Sequence, residues 1–289
     1  MKQKISLAHS PDSDDAFMFY ALAEGKIDDR GFDFVHELSD IETLNQRTRR
    51  GELDVSAISF HAYPEIADRY ALLPHGASFG DGYGPVVIAA KPTTKEELEG
   101  VVVAIPGEKT SAALALQLWR PGTRTAVVPF DEILPAVAAG KFAAGVIIHE
   151  GQLTYAAEGL HAVVDLGTWW SGETGFPLPL GGNVIRKALG PEAIREVSGV
   201  LGESIAYGLA HREEALAYAM RFARDLDPAQ ADRFVGMYVN DWTRDYGERG
   251  KRAIELFLGR AAEAGLVPSV AIEFAGESAG IAAARESAS

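Results

Sequence analysis

The chain has 289 residues, a formal net charge of −14 and no cysteine. A length of this order fits one large domain or two small ones, burying roughly 75% of the surface that the unfolded chain exposes. The acidic balance argues against nucleic acid and anionic membrane as partners, and the missing thiols exclude disulfides, thiolate metal sites and cysteine nucleophiles. No apolar stretch approaches the ~20 residues of a membrane span. The opening MKQKISLAHSPDSDD has two lysines but no apolar core and no small-residue cleavage site, so it does not read as a signal peptide. A cytoplasmic protein is expected.

In chain order, KISLA (4–8) reads as a short strand and HSPDSDD as a turn-rich loop. AFMFYALAEG then reads as a helix with Asp14 or Asp15 as its cap and Gly25 as its stop. FDFVHEL (32–38) is a second strand. Ser39 and Asp40 can cap a helix through IETLNQRTRR that Gly51 ends, and Leu53 to Ser59 is a third strand.

The order returns about ninety residues later. VVVAI (101–105) is a strand, PGEKTS a loop, AALALQLW a helix and TAVVPF (125–130) a strand. Asp131 caps EILPAVAA, Gly140 ends it, and FAAGVII is again a third strand. Gly51 aligns with Gly140, Leu53 with Phe142, Ser56 with Gly145 and Ile58 with Ile147. Strands alternating with helices argue for parallel sheets covered on both faces.

Two such lobes imply a cleft between them, a common ligand site. The sequence predicts lobe I over 1–90, lobe II over 91–178 and a return to lobe I over 179–289. VVIAA and GGNVIRK read as a paired, two-stranded hinge. Beyond Lys187 the pattern is helical. One helix runs from Pro191 to Ala210, and Asp227 and Pro228 open a later one. These helices are expected on lobe I, and the Ala- and Ser-rich tail after Pro268 is expected to be weakly ordered.

Four loops are expected at the cleft: 9–15, 56–63, 106–112 and 149–155. His149 closes an apolar strand whose carboxyl end should reach the ligand crevice, and histidine exchanges a proton near neutral pH. The plain alternative is a histidine that only caps the strand. In PGEKTSAA, Thr110 and Ser111 offer hydroxyls at a helix start whose first N–H groups lack helix partners, an arrangement that suits a carboxylate. Lys109 adds local positive charge. An ordinary Thr or Ser cap is the alternative there.

Asp12, Asp14 and Asp15 lack calcium-loop spacing, which leaves turn and cap duty or bonds to substrate hydroxyls. Ser56 and Ser59 end the first lobe's third strand, where small residues let backbone approach a ligand. His61 reads as part of a following helix, HAYPEIADRY, and ASFGDGYGP (77–85) as a mobile loop. Neither a dinucleotide fingerprint, a P-loop nor a G-x-S-x-G elbow occurs. The seven histidines form no close pair, so no metal or cofactor is expected.

SPDSDDAFMFYAL, DIETLNQ, ELDVSAISFHAY, GYGP, IPGEKTSA, GVIIHEGQLTY and LPLPLGG, in colinear order, resemble the 1,4-dihydroxy-6-naphthoate synthase family of menaquinone biosynthesis by the futalosine route. The likeness covers roughly residues 4 to 260. It implies a type II periplasmic-binding-protein-like α/β fold with two lobes, a hinge and a helical C-terminal region.

It also implies a lyase that takes cyclic dehypoxanthine futalosine, a small-molecule carboxylate, to 1,4-dihydroxy-6-naphthoate with release of dihydroxyacetone. The family's general base falls on His149, and its substrate contacts fall on Ala57, Ile58 and Ser59 and on Ser111 and Ala112. Lys109, Thr110 and Asp14 join the candidate site by position alone, and a homodimer is a further expectation. Three other readings stay open: chorismate dehydratase of the same route, a non-catalytic cytoplasmic solute-binding protein, and an interaction protein using its C-terminal helices.

Overall fold

The computed structural model describes residues 2–222 and 228–276. The chain opens with β1 (Gln3–His9), α1 (Ser13–Ala23), β2 (Phe32–Leu38), α2 (Ile41–Arg49) and β3 (Val55–Ser59). The second strand spans FDFVHEL as expected. Asp40 caps α2 by accepting the Thr43 N–H at 3.0 Å. Gly51 follows the helix at φ 73°, a left-handed conformation that costs a residue without Cβ little. The cap of α1 is Asp12, and Asp14 and Asp15, the residues expected there, lie inside the first turn.

The HAYPEIADRY segment is not an α-helix. It forms a 3₁₀ turn (Phe60–Glu65), and β4 (Tyr70–Leu72) follows. Pro64 removes an amide donor inside the turn, and Tyr70 and Leu72 are drawn into the core. The glycine-rich stretch expected as a mobile loop carries β5 (Ser78–Gly80), with Phe79 buried and the Tyr83 hydroxyl bonded to the Met237 carbonyl.

After β6 (Val86–Ala89) comes the second copy: β7 (Val102–Ile105), α3 (Ser111–Trp119), β8 (Arg124–Val127), α4 (Phe130–Ala138) and β9 (Ala144–Ile147). Thr110 caps α3, its hydroxyl accepting the Ala113 N–H at 3.2 Å. The cap position of α4 is Pro129, with Asp131 one residue inside the helix. The chain continues through α5 (Gly151–Thr154), β10 (His161–Asp165), α6 (Leu166–Thr174) and β11 (Leu178–Arg186). It ends in α7 (Pro191–Ala210), α8 (Arg212–Ala219), α9 (Pro228–Tyr238), α10 (Asp241–Arg244) and α11 (Gly247–Glu263). No helix among the described residues is long and apolar enough to cross a membrane.

Two mixed sheets result. The first has the order β2-β1-β3-β11-β4, with β5 also on β11, and the second β10-β6-β9-β7-β8. Within each copy the three strands are parallel, and the antiparallel members are the added strands. The two crossing segments therefore do not pair with each other. β6 lies against β9 in the second sheet, and β11 lies against β3 in the first. Each apolar crossing strand finds a buried third strand to bond, which satisfies its backbone groups more fully than an exposed two-stranded ribbon would.

The largest apolar cluster runs from β3 and β5 through β7, β9 and α3 to α6 and α11, with Tyr63, Tyr70, Phe79, Trp170, Tyr246 and Phe257 fully buried. Burying each such ring contributes on the order of 1.5–3 kcal/mol. A second cluster packs α7 and α8 on α1, as expected for helices returning to the first lobe. Past Pro268 the chain stays packed through residue 276. Leu72 N–H donates to Glu273 O at 2.9 Å, Ala275 N–H donates to Leu72 O at 2.7 Å, and Phe274 is buried. The rest of the expected loose tail, and the Asp227 cap, lie outside the described residues.

Candidate active site

All four expected loops meet at one cleft of about 770 Å³ that opens to solvent. The first sheet's side supplies Ser10, Asp12, Asp14 and Asp15 from the start of α1, and Ala57, Ile58 and Ser59 from the end of β3. The second supplies Thr110, Ser111 and Ala112 from the start of α3, and His149 and Gln152 after β9. Phe234 and Tyr238 of α9 complete the wall.

Two candidates fall outside it. Ser56 is fully buried and its hydroxyl donates to Ala57 O at 2.9 Å. Lys109 turns away to pair with Glu65, which also meets Arg49. Its backbone N–H donates to Glu42 at 3.2 Å, so the loop is anchored but its ammonium charge does not serve the cleft.

His149 has φ 54°, one of two described non-glycine residues at positive φ. Such a conformation is uncommon for a residue with Cβ and points to a local constraint. The turn aims the ring at the opposite wall. There His149 Nδ1 lies 3.2 Å from Asp12 Oδ2, with the Asp12 side chain 2% exposed and the histidine 19% exposed. The Ser10 hydroxyl donates to the same Asp12 oxygen, and Phe130 sets its ring edge-on to the imidazole at 5.0 Å. Glu150, the next residue, is the cap residue of α5.

Around this pair the carboxylates are crowded. Burial pushes the Asp15 carboxyl up to about 7 even though it accepts the Ser10 N–H at 2.7 Å. Burial, with Asp15, Asp12 and Glu150 close by, holds Asp14 well above the usual carboxylate range. Among the described residues no three carboxylates or histidines converge as a metal site.

On the far side the start of α3 is neutral, and the N–H groups of Ser111 and Ala112 have no acceptor within the helix. The Thr110 carbonyl takes a bond from His61 Nδ1 at 3.1 Å. Burial pushes the His61 imidazole down to about 4, so it stays uncharged. The Tyr238 hydroxyl lies 2.7 Å from the Gln152 amide, and burial pushes its phenol well up, which keeps its proton.

The cleft also takes in Gln152, Phe234 and Tyr238, which the sequence does not point to, and Asp12, for which it offers turn and cap duty or bonds to substrate hydroxyls. Asp12 stood in plain view in HSPDSDD, where turn duty looked sufficient. The α9 residues carried no signal, because a helix far along the chain gives no hint of the wall it will cover.

A histidine held by a carboxylate across a cleft, beside a neutral helix start on its own lobe, sits on a two-lobed α/β scaffold of the periplasmic-binding-protein type. The scaffold is shared widely: the alkanesulfonate-binding protein SsuA of Xanthomonas axonopodis pv. citri superposes with a TM-score of 0.67 over 92% of this chain and 94% of its own, at 13% identity, a likeness of fold alone. Protein AF1704 of Archaeoglobus fulgidus superposes with a TM-score of 0.87 at 45% identity, covering 91% of this chain and 98% of that one. The family model described as menaquinone biosynthesis matches residues 5–263. The 1,4-dihydroxy-6-naphthoate synthase of Thermus thermophilus is 41% identical over 264 residues, 91% of this chain and 96% of the relative. That of Streptomyces coelicolor is 39% identical over 273 residues, 92% and 95%. The chain belongs to the menaquinone-biosynthesis family of 1,4-dihydroxy-6-naphthoate synthases and is an enzyme of that pathway.

Proposed function

We propose that this enzyme is a carbon–carbon lyase that converts cyclic dehypoxanthine futalosine to 1,4-dihydroxy-6-naphthoate, with His149 as general base. The sugar-derived piece leaves as dihydroxyacetone. The observation that carries the reading is the seating of His149 in the cleft, met at its Nδ1 side by Asp12. Removing one acidic proton starts the fragmentation, and formation of the aromatic ring drives it. The proton passes to His149 Nε2, and a single positioned base contributes about 10²–10⁴-fold.

The substrate carboxylate belongs at the start of α3, where Ser111 and Ala112 present N–H groups and Thr110 a hydroxyl. The wall formed by the start of α1 presents carboxyl groups and no cation, so the ligand carboxylate faces the start of α3 instead. Apolar Ile58 and Leu180 line the space between for the bicyclic ring.

The test is product formation by the purified protein, followed by chromatography, with His149→Asn beside it. Product from the wild type and at least about 10²-fold less from a folded His149→Asn supports both the lyase and its base. Product from both keeps the lyase and discards His149. Binding without turnover in either favours a solute-binding role.

A further inference from the structure

We infer that Asp12 is the positioning residue of this site: from the opposite wall of the cleft it fixes His149 with its proton on Nδ1 and leaves Nε2 as the proton acceptor. The inference rests on the proposed role of His149 and adds the group that directs it.

Four observations converge on Asp12. It occupies the cap position of α1, where an aspartate ordinarily accepts a backbone N–H of the first turn, yet its side chain makes no cap bond. Its carboxylate is committed elsewhere, with Oδ2 3.2 Å from His149 Nδ1. That oxygen is held from behind by the Ser10 hydroxyl. The side chain is 2% exposed, and Oδ1 is buried at the cleft with no protein hydrogen-bond partner. A buried carboxylate left half-satisfied is retained at a cost, which a purely structural capping role would not explain. Among the described residues it is the one acid within ion-pairing distance of the His149 ring.

An ionised carboxylate only accepts hydrogen bonds, so the imidazole nitrogen facing it must carry the proton. Neutral histidine has one N–H, and Nε2 is then bare. When Nε2 takes the substrate proton, the same carboxylate faces the imidazolium and stabilises it, the role of the buried aspartate in a hydrolase triad. A contact of 3.2 Å without substrate is loose for such a bond, and catalytic hydrogen bonds commonly tighten once the reacting molecule is bound. The Phe130 ring packs edge-on against the imidazole, and the left-handed backbone at residue 149 turns it across the cleft.

The experiment combines nitrogen-15 NMR of histidine-labelled enzyme with kinetics. The His149 signal is assigned by its loss in His149→Asn. At alkaline pH the wild type is expected to show Nδ1 protonated and Nε2 bare. In Asp12→Ala the signal should shift towards the Nε2–H tautomer that free histidine prefers. Asp12→Asn, nearly isosteric, should lower kcat by about 10²-fold or more with KM changed less than about threefold.

A wild-type spectrum with bare Nδ1 overturns the inference without any variant, so a misfolded mutant cannot shelter it. An inactive His149→Asn beside an Asp12→Asn of near-normal kcat also overturns it while leaving the base in place. An active His149→Asn instead removes the base, and with it any catalytic meaning of Asp12.

Discussion

In the first copy of the strand–helix unit Ser56 pairs with Ala8 across β3 and β1, and in the second Gly145 pairs with Ala104 across β9 and β7. Each third strand then takes an antiparallel neighbour at the same place, Val184 opposite Ser56 and Ile88 opposite Gly145. The backbone is thus repeated down to the residue. The chemistry is not. The alignment that sets Ser56 on Gly145 sets Phe60 on His149: one is fully buried, and the other leaves the strand in a left-handed turn and enters the cleft. α1 has Asp14 and Asp15 in its first turn, and α3 has no acid in its own. Duplication supplied equivalent loop ends, and divergence left one lobe with the carboxyl-lined helix start and the other with His149 and the neutral helix start.

The equivalence can be broken first at the paired positions 56 and 145. A Cβ on Gly145 would stand 2.6 Å from Ile133 and 3.0 Å from Val137, because α4 lies directly on β9. The first copy accommodates the Ser56 side chain at the same register. Gly145→Val is expected to destabilise by about 1–3 kcal/mol through overpacking. Ser56→Ala should cost no more than about 1 kcal/mol, the worth of one hydrogen bond. Denaturant midpoints of the two variants check this, and equal losses would show that the strands pack alike after all.

A smaller effect separates the two helix starts by pH. Asp15 is raised from 3.8 to about 7, so between these values the folded protein holds a proton that the unfolded chain has lost. Its contribution is fully present below about 3.8 and is lost as pH rises through about 7. Asp14 acts in the same direction. The buried His9, His61 and His75, each pushed down to about 4, have the opposite sign: their contribution is complete above 6.5 and disappears as pH falls towards 4. The histidines contribute equally to wild type and to an Asp15 variant, so the difference between the two from pH 6.5 to pH 8 isolates Asp15. Asp15→Asn should lessen the decline over that interval, whereas parallel curves for wild type and variant would remove the cost assigned to the acidic wall.

Much of this was legible in advance, for identifiable reasons. Periodicity and glycine stops located the strands and helices of both copies because those signals are local. The repeat itself supplied the alignment of Ser56 with Gly145 that the sheet register bears out. What failed was non-local. Whether VVIAA and GGNVIRK pair with each other or with separate third strands is decided by which buried edge each meets. Lys109 was counted as charge for the cleft, but a lysine's destination depends on its neighbours in space, and Glu65 lies on the other side. For Asp12 a helix cap and a histidine partner look identical in sequence, and only the fold brings His149 to it.

The finest distinction is between the helix starts as binding surfaces. Ser111→Asp gives α3 the acidic first turn that α1 already has. For the fold, the gain of about 0.3–1 kcal/mol from a negative charge at a helix N-terminus is set against the cost of burying a carboxylate at a residue that is 3% exposed. For a carboxylate ligand it is adverse, because like charges now share a partly buried space. A loss of about 1.4 kcal/mol in binding raises KM about tenfold. Because His149 and Asp12 are untouched, the proton-transfer machinery remains and kcat should be largely retained. A raised KM with a largely retained kcat in the folded variant is a combination that general disruption of the site does not produce. An unchanged KM would mean that the neutral start of α3 is a matter of folding alone and that the substrate carboxylate binds elsewhere along the cleft.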